Sequence, residues 1–161
     1  MTRAACISVL ALMLASGTAT AHPAIDAFTT WCFKAGQTPA RAAANMQQTA
    51  GTPLPFDLTF WDVSLEAAVG TPKYAERRCE VSFPGDHAQA AVIAVQAKMA
   101  QPPVFGTPIP LPEPYTAEAG TAFIEGRELL RGRVAVVHIG TRGENTFIGV
   151  DRLPAGMGVP E

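Results

Sequence analysis

Apolar side chains at Ile25, Phe28, Cys32 and Ala35 recur at helical spacing, with Trp31 beside the stripe and Gly36 as a natural stop, and predict a short amphipathic helix over 24–35. Thr38-Pro39 reads as an N-cap followed by a proline at the first helical position. It opens an Ala-rich helix that ends at Gly51, and Pro53 and Pro55 forbid its continuation. The period then changes. Phe56, Leu58 and Phe60 alternate with Asp57 and Thr59, which predicts a half-buried strand running to Val63. Residues 64–69 fit a helical turn or an extension of the sheet equally well, and Gly70-Thr71-Pro72 marks a turn.

A second strand is predicted from Tyr74 to Phe83, with Ala75, Arg77, Cys79, Val81 and Phe83 on one side and Arg78 on the other. Pro84-Gly85 stops it. Asp86, with Gln89 three residues on, has the form of a capping box for a helix reaching about Gln101, whose Ala88, Ala91, Val92, Val95 and Met99 share a face. Residues 102–114 hold six prolines, so this stretch is expected to supply no regular ladder hydrogen bonds and to run as an extended surface connection. Three more strands follow, Phe123–Leu130, Arg133–Ile139 and Thr146–Leu153, the last two joined through Thr141–Asn145. The tail after Pro154 is expected to be loose. Helix, helix, strands, helix, strands is an α+β order. Its simplest form is an antiparallel sheet of about five strands, with two N-terminal helices and one central helix packed on it.

The chain's 161 residues are 48% hydrophobic and 16% charged, which excludes a disordered polymer and suits one core. Arg3, the apolar run Ile7–Ala15 and Ala19-Thr20-Ala21 form a signal-peptide pattern with cleavage expected before His22, leaving a single α+β domain over 22–161. The apolar run is too short to span a bilayer, so no transmembrane anchor is expected after cleavage. Loss of Arg3 leaves 11 of the 12 basic residues against 14 acidic ones, a formal charge of −3. Such a chain has no positive field for nucleic acid. It is expected to be periplasmic or secreted.

Export changes the reading of the cysteines. Cys6 leaves with the leader, and Cys32 and Cys79 remain as a pair in an oxidising compartment, where one disulfide is the default. Closing a loop of about 46 residues restrains the unfolded chain by about 4 kcal/mol in the chain-entropy model, a large share of a small domain's stability.

Candidate chemistry is sparse. The chain contains no nucleophile elbow, zinc-helix, EF-hand, Walker or dinucleotide-binding signature. His22, His87 and His138 have no metal-site spacing, so neither a metal nor a cofactor is expected. The last third carries the best polar cluster. There His138 with Glu125 or Asp151 forms a candidate acid–base pair, and Arg127, Arg133 and Arg142 are candidates to orient an anion. Cross-strand ion pairing accounts for the same residues without catalysis. Trp61, Phe105 and Tyr115 are the candidate aromatic contacts, the last two bracketing the proline segment. The expected function is therefore a non-catalytic binding or interaction module of the bacterial cell envelope, contacting an envelope protein or small ligand through Pro102–Pro114 and the neighbouring sheet edge. Two alternatives stand beside it. One is a hydrolase using His138, a carboxylate and an arginine; the other is an inhibitor of a secreted enzyme presenting Thr141–Asn145.

Overall fold

Helix α1 (Pro23–Trp31) begins where His22 holds an extended backbone and its Nδ1 accepts the Ala24 N–H at 3.2 Å, with Pro23 preset for the first turn. The computed structural model that shows this describes residues 22–65, 75–101, 105–113, 115–154 and 157. The expected leader, the Gly70-Thr71-Pro72 turn and part of the proline segment lie outside the described residues.

Helix α1 ends at Trp31, four residues before the end its apolar stripe predicts. Tertiary partners claim the next carbonyls: Arg152 donates to Phe33 O at 2.9 Å, and Arg77 donates to Lys34 O. The helix end itself is closed by the Lys34 N–H and the Gln37 side chain, which both donate to Trp31 O, at 3.1 and 2.9 Å. Helix α2 (Pro39–Ala50) follows its sequence signals closely, with Thr38 Oγ1 accepting the Arg41 N–H and Gly51 at the C-cap with φ 94°. Helix α3 (Ala88–Met99) starts one residue late for an Asp86 capping box. The reason is tertiary: the His87 N–H donates to Thr146 Oγ1 at 2.8 Å, and Asp86 Oδ1 accepts from Ala88.

The strands are β1 (Asp57–Asp62), β2 (Arg77–Pro84), β3 (Thr107–Ile109), β4 (Thr121–Glu128), β5 (Val134–Arg142) and β6 (Asn145–Arg152). They form one antiparallel sheet in the order β1-β2-β6-β5-β4-β3. The strand beyond the expected five is β3, and it lies inside the proline segment. Pro108 sits opposite Arg127 on the outermost strand, where only one side has a ladder partner and a missing N–H is tolerated.

Helices α1 and α3 cover one face. Ile25, Phe28 and Val95 meet Cys79, Val81, Phe83, Val137, Ile139, Ile148 and Val150 there, all buried. Cys32 and Cys79 are joined across that layer, S–S 2.02 Å and Cα–Cα 5.4 Å, so the disulfide ties the first helix to the sheet.

The opposite face is closed by the chain's own connection. Ile109, Leu111 and Tyr115 pack with Trp61 and Ile124 over Ala75, Val134, Val136 and Leu153. Gly120 O then accepts the Thr141 N–H at 3.0 Å, completing a strap across the sheet. Gly120 must be glycine, since its φ is +82° and a Cβ there would lie 2.1 Å from Thr141 O. Among the described residues no helix is long and apolar enough to cross a membrane.

Candidate functional site

Strand alternation puts His138 in line with Val134 and Val136 on the strap-covered face, and register supplies its neighbours. Arg78 faces Asp151 across β2 and β6, while Glu80, Gly149 and His138 form one row across β2, β6 and β5. Gly149 has no side chain, and the His138 ring lies over it in the row that Glu80 shares. A Cβ on Gly149 would sit 2.4 Å from His138 Nε2. From above, the strap adds Tyr115 and Glu118, and the end of β5 adds Arg142.

Asp151 is the anchor. It is fully buried and takes a forked pair from Arg78, 2.7 Å from Nε and 2.5 Å from Nη2, together with the Tyr115 hydroxyl proton. This hydrogen bond to Asp151 raises the Arg78 pKa against its burial. Burial and then the Asp151 charge push the Tyr115 phenol upward, so it stays a donor. Arg142 is half-exposed and bridges two carboxylates, 3.0 Å to Glu80 Oε1 and 2.7 Å to Glu118 Oε1, with its guanidinium 4.5 Å from the Phe147 ring centre. Against a burial penalty, these two hydrogen bonds raise its pKa.

His138 is 4% exposed. Burial lowers its pKa, only partly opposed by Asp151, so the imidazole is neutral. Its Nε2 lies 3.7 Å from Asp151 Oδ2 and its Nδ1 3.9 Å from Glu118 Oε1, both beyond hydrogen-bond length. His138 Nε2 and Glu80 Oε2 are buried without a hydrogen-bond partner among the described residues.

The candidates named from sequence divide between the two faces. His138, Asp151, Tyr115 and Arg142 come together, and Trp61 joins the apolar cluster beside them. Glu125 does not: it sits opposite Val137, on the helix-covered face, and pairs with Arg127 at 2.6 Å. The sheet lies between it and His138, so it cannot serve that imidazole. Arg127 is buried and donates to Phe105 O at 2.9 Å and Gly106 O at 2.8 Å, so it fastens the start of the strap instead of facing an anion. Phe105 belongs to the core, its ring 4.4 Å from Phe33. Arg133 is exposed after the 3₁₀ turn Leu130–Gly132; with burial and Arg77, its charge lowers Arg152 to about 10.

Arg78, Glu80 and Glu118 were missing from the sequence-derived set. For the first two the signal was the alternation of β2, which sends both away from Cys79. Glu118 lies in a turn with no periodicity to read.

The turn Gly143–Glu144 between β5 and β6 has two residues, with Gly143 at φ 63°. It is shorter than the expected Thr141–Asn145 connection. Beside it, Pro84–Asp86 and Glu144–Asn145 border an open concavity of about 670 Å³ at the end of the sheet.

No protein-family model, no curated protein and no solved structure matches this chain.

Proposed function

We propose that the chain is a small exported, disulfide-stapled, non-catalytic binding or interaction module of the bacterial cell envelope. The observation that carries this reading is the state of His138, buried under Tyr115 and out of hydrogen-bond reach of both nearby carboxylates. General acid–base work needs a proton carrier that is oriented by a partner and open to substrate, and this imidazole has neither property. The arginines likewise spend their donors inside the molecule, on Asp151, on Glu80 and Glu118, and on loop carbonyls.

The contact surface in this reading is the β3 edge of the sheet. Thr107, Pro108 and Pro110 are exposed there, on an outermost strand with one side unpaired. Leu130 is 85% exposed and lies two residues beyond Glu128, the register partner of Thr107. An apolar side chain held in water beside an extended, proline-stiffened edge suits addition of a partner segment at low entropic cost.

A photo-crosslinker at Leu130, with another at exposed Gln89 on α3 as control, tests this in envelope extract. The module reading expects a discrete adduct from position 130, none from 89, and no hydrolysis of envelope peptides or esters that depends on His138. Turnover abolished by His138→Asn would transfer the protein to the hydrolase alternative. Equal labelling from both positions would remove the β3 edge as the contact.

A further inference from the structure

We propose that Glu80, Glu118 and His138 form a divalent-cation site of the zinc class, which Arg142 occupies as an internal counter-ion when no metal is bound. The three side chains come from β2, the strap and β5, 58 and 38 residues apart from Glu80 to His138 and from Glu80 to Glu118, and each offers one ligand atom within 4.8 Å of the others. Two of the three are buried, and each of those two carries an atom with no hydrogen-bond partner among the described residues, Glu80 Oε2 and His138 Nε2. Buried polar atoms in folded proteins are almost always satisfied, so two orphans in the one row that Glu80 and His138 share across Gly149 mark a place that takes a further group.

Charge identifies the group. Glu80, Glu118 and Asp151 bring three negative charges to this face; Arg78 is forked to Asp151 and its Nη1 also lies 3.8 Å from Glu80 Oε2, so its single positive charge offsets one of the three. The two that remain are spanned by Arg142, whose guanidinium reaches Glu80 Oε1 and Glu118 Oε1 together. Its side chain is 47% exposed and can swing into water. With Arg142 withdrawn, the excess is two negative charges, the amount a divalent cation neutralises.

The donor set selects among cations. One imidazole and two carboxylates suit zinc, whereas calcium and magnesium prefer all-oxygen shells. Zinc–ligand bonds of about 2.0–2.2 Å need the three donors closer than they stand at rest. Glu118 can supply that movement, because its side chain is 44% exposed and comes from the strap rather than from a central strand. Both readings start from the unpartnered His138, but zinc uptake here does not require the β3 edge to be a contact surface, nor that edge a bound cation.

The test titrates the purified protein with Zn²⁺ alone against a chromophoric chelator, with circular dichroism confirming that each variant is folded. The expected result is one zinc per chain, unaffected by millimolar Mg²⁺. Arg142→Ala is expected to tighten binding at least tenfold by removing the internal competitor. Glu118→Gln, an exposed change that leaves the core intact, is expected to weaken it at least tenfold. His22→Ala is expected to change nothing, which separates this site from chelation at a freed amino terminus. A wild-type chain that takes up no zinc overturns the proposal, as does uptake indifferent to Arg142 and Glu118.

Discussion

The hydroxyl of Tyr115 donates to Asp151 Oδ2 across 36 residues of sequence, and this bond pins the strap to the centre of the sheet. Asp151 is fully buried, yet every acceptor direction it uses is answered, twice by Arg78 and once by Tyr115. A buried carboxylate survives without loss only when paired and hydrogen-bonded in this way. The face of the sheet that the helices leave open is consequently covered by a segment whose own apolar mass is small, through one charged anchor and the packing of Ile109 and Leu111.

Tyr115→Phe keeps the ring and deletes the donor. The expected cost is about 1–2 kcal/mol in denaturant unfolding, since Asp151 retains Arg78. The diagnostic readout is amide hydrogen exchange, which should quicken at Thr121 and Thr141, where the strap ties to the β4–β5 end, more than in α1. Uniform quickening across the chain would mean that the bond acts on global stability and not on the strap.

Gly149→Ala places a methyl 2.4 Å from His138 Nε2, and the imidazole is closed in by Tyr115 on one side and Phe147 on another. Overpacking of this kind costs about 1–3 kcal/mol. Shortening the neighbour should relieve it, so Gly149→Ala with His138→Ala is expected to be more stable than the sum of the single changes by ~1 kcal/mol. Strict additivity in that double-mutant cycle would show that the two side chains do not compete for this space.

Replacing Cys32 and Cys79 together by alanine removes the tie between α1 and β2. Loop closure over this span predicts about 4 kcal/mol lower unfolding free energy by urea titration. A loss under ~1 kcal/mol would place the restraint in the Ile25 and Phe28 packing rather than in the covalent bond.

His22 couples stability to pH. Burial, then the His87 charge, lowers its pKa below 6.5, its ring lies 4.2 Å from that of Phe83, and Nδ1 caps α1. The unfolded chain then binds the proton more readily than the folded one. The His22 contribution is complete above about pH 6.5 and is lost as pH falls from there through the lowered folded value. His22→Asn caps without titrating. Thermal melts should show wild type losing more stability than this variant between pH 7 and 5, by no more than ~1 kcal/mol because the ring is partly exposed. Parallel curves would exclude His22 as the titrating group.

Much of the architecture was legible along the chain because it is written in local periods. The Ile25/Phe28/Cys32 stripe, the Thr38-Pro39 start, and the alternation Cys79-Val81-Phe83 each describe which side of one element is apolar, and the structure buries those sides. The expected Cys32–Cys79 bridge followed from the same two faces pointing at one core. Departures occur where a distant partner outbids a local signal, as when Arg77 and Arg152 take the carbonyls after Trp31, or Thr146 takes the N–H of His87.

The polar cluster was legible only in part. Alternation sorted Arg78 from Cys79 and His138 from Val137, but it does not say which residue of β2 stands beside which residue of β6, two strands 60 or more residues apart by the register Arg78↔Asp151. Glu125 was paired with His138 for the same reason: both lie in neighbouring strands, and a shift of one position exchanges the two faces of a sheet. What the sequence by itself determined was the sidedness of each helix and strand, since that depends only on backbone geometry and the spacing of apolar groups. Only the tertiary structure decided strand order, register and the path of the strap, because those rest on contacts between residues far apart in the chain, and no local period carries that information.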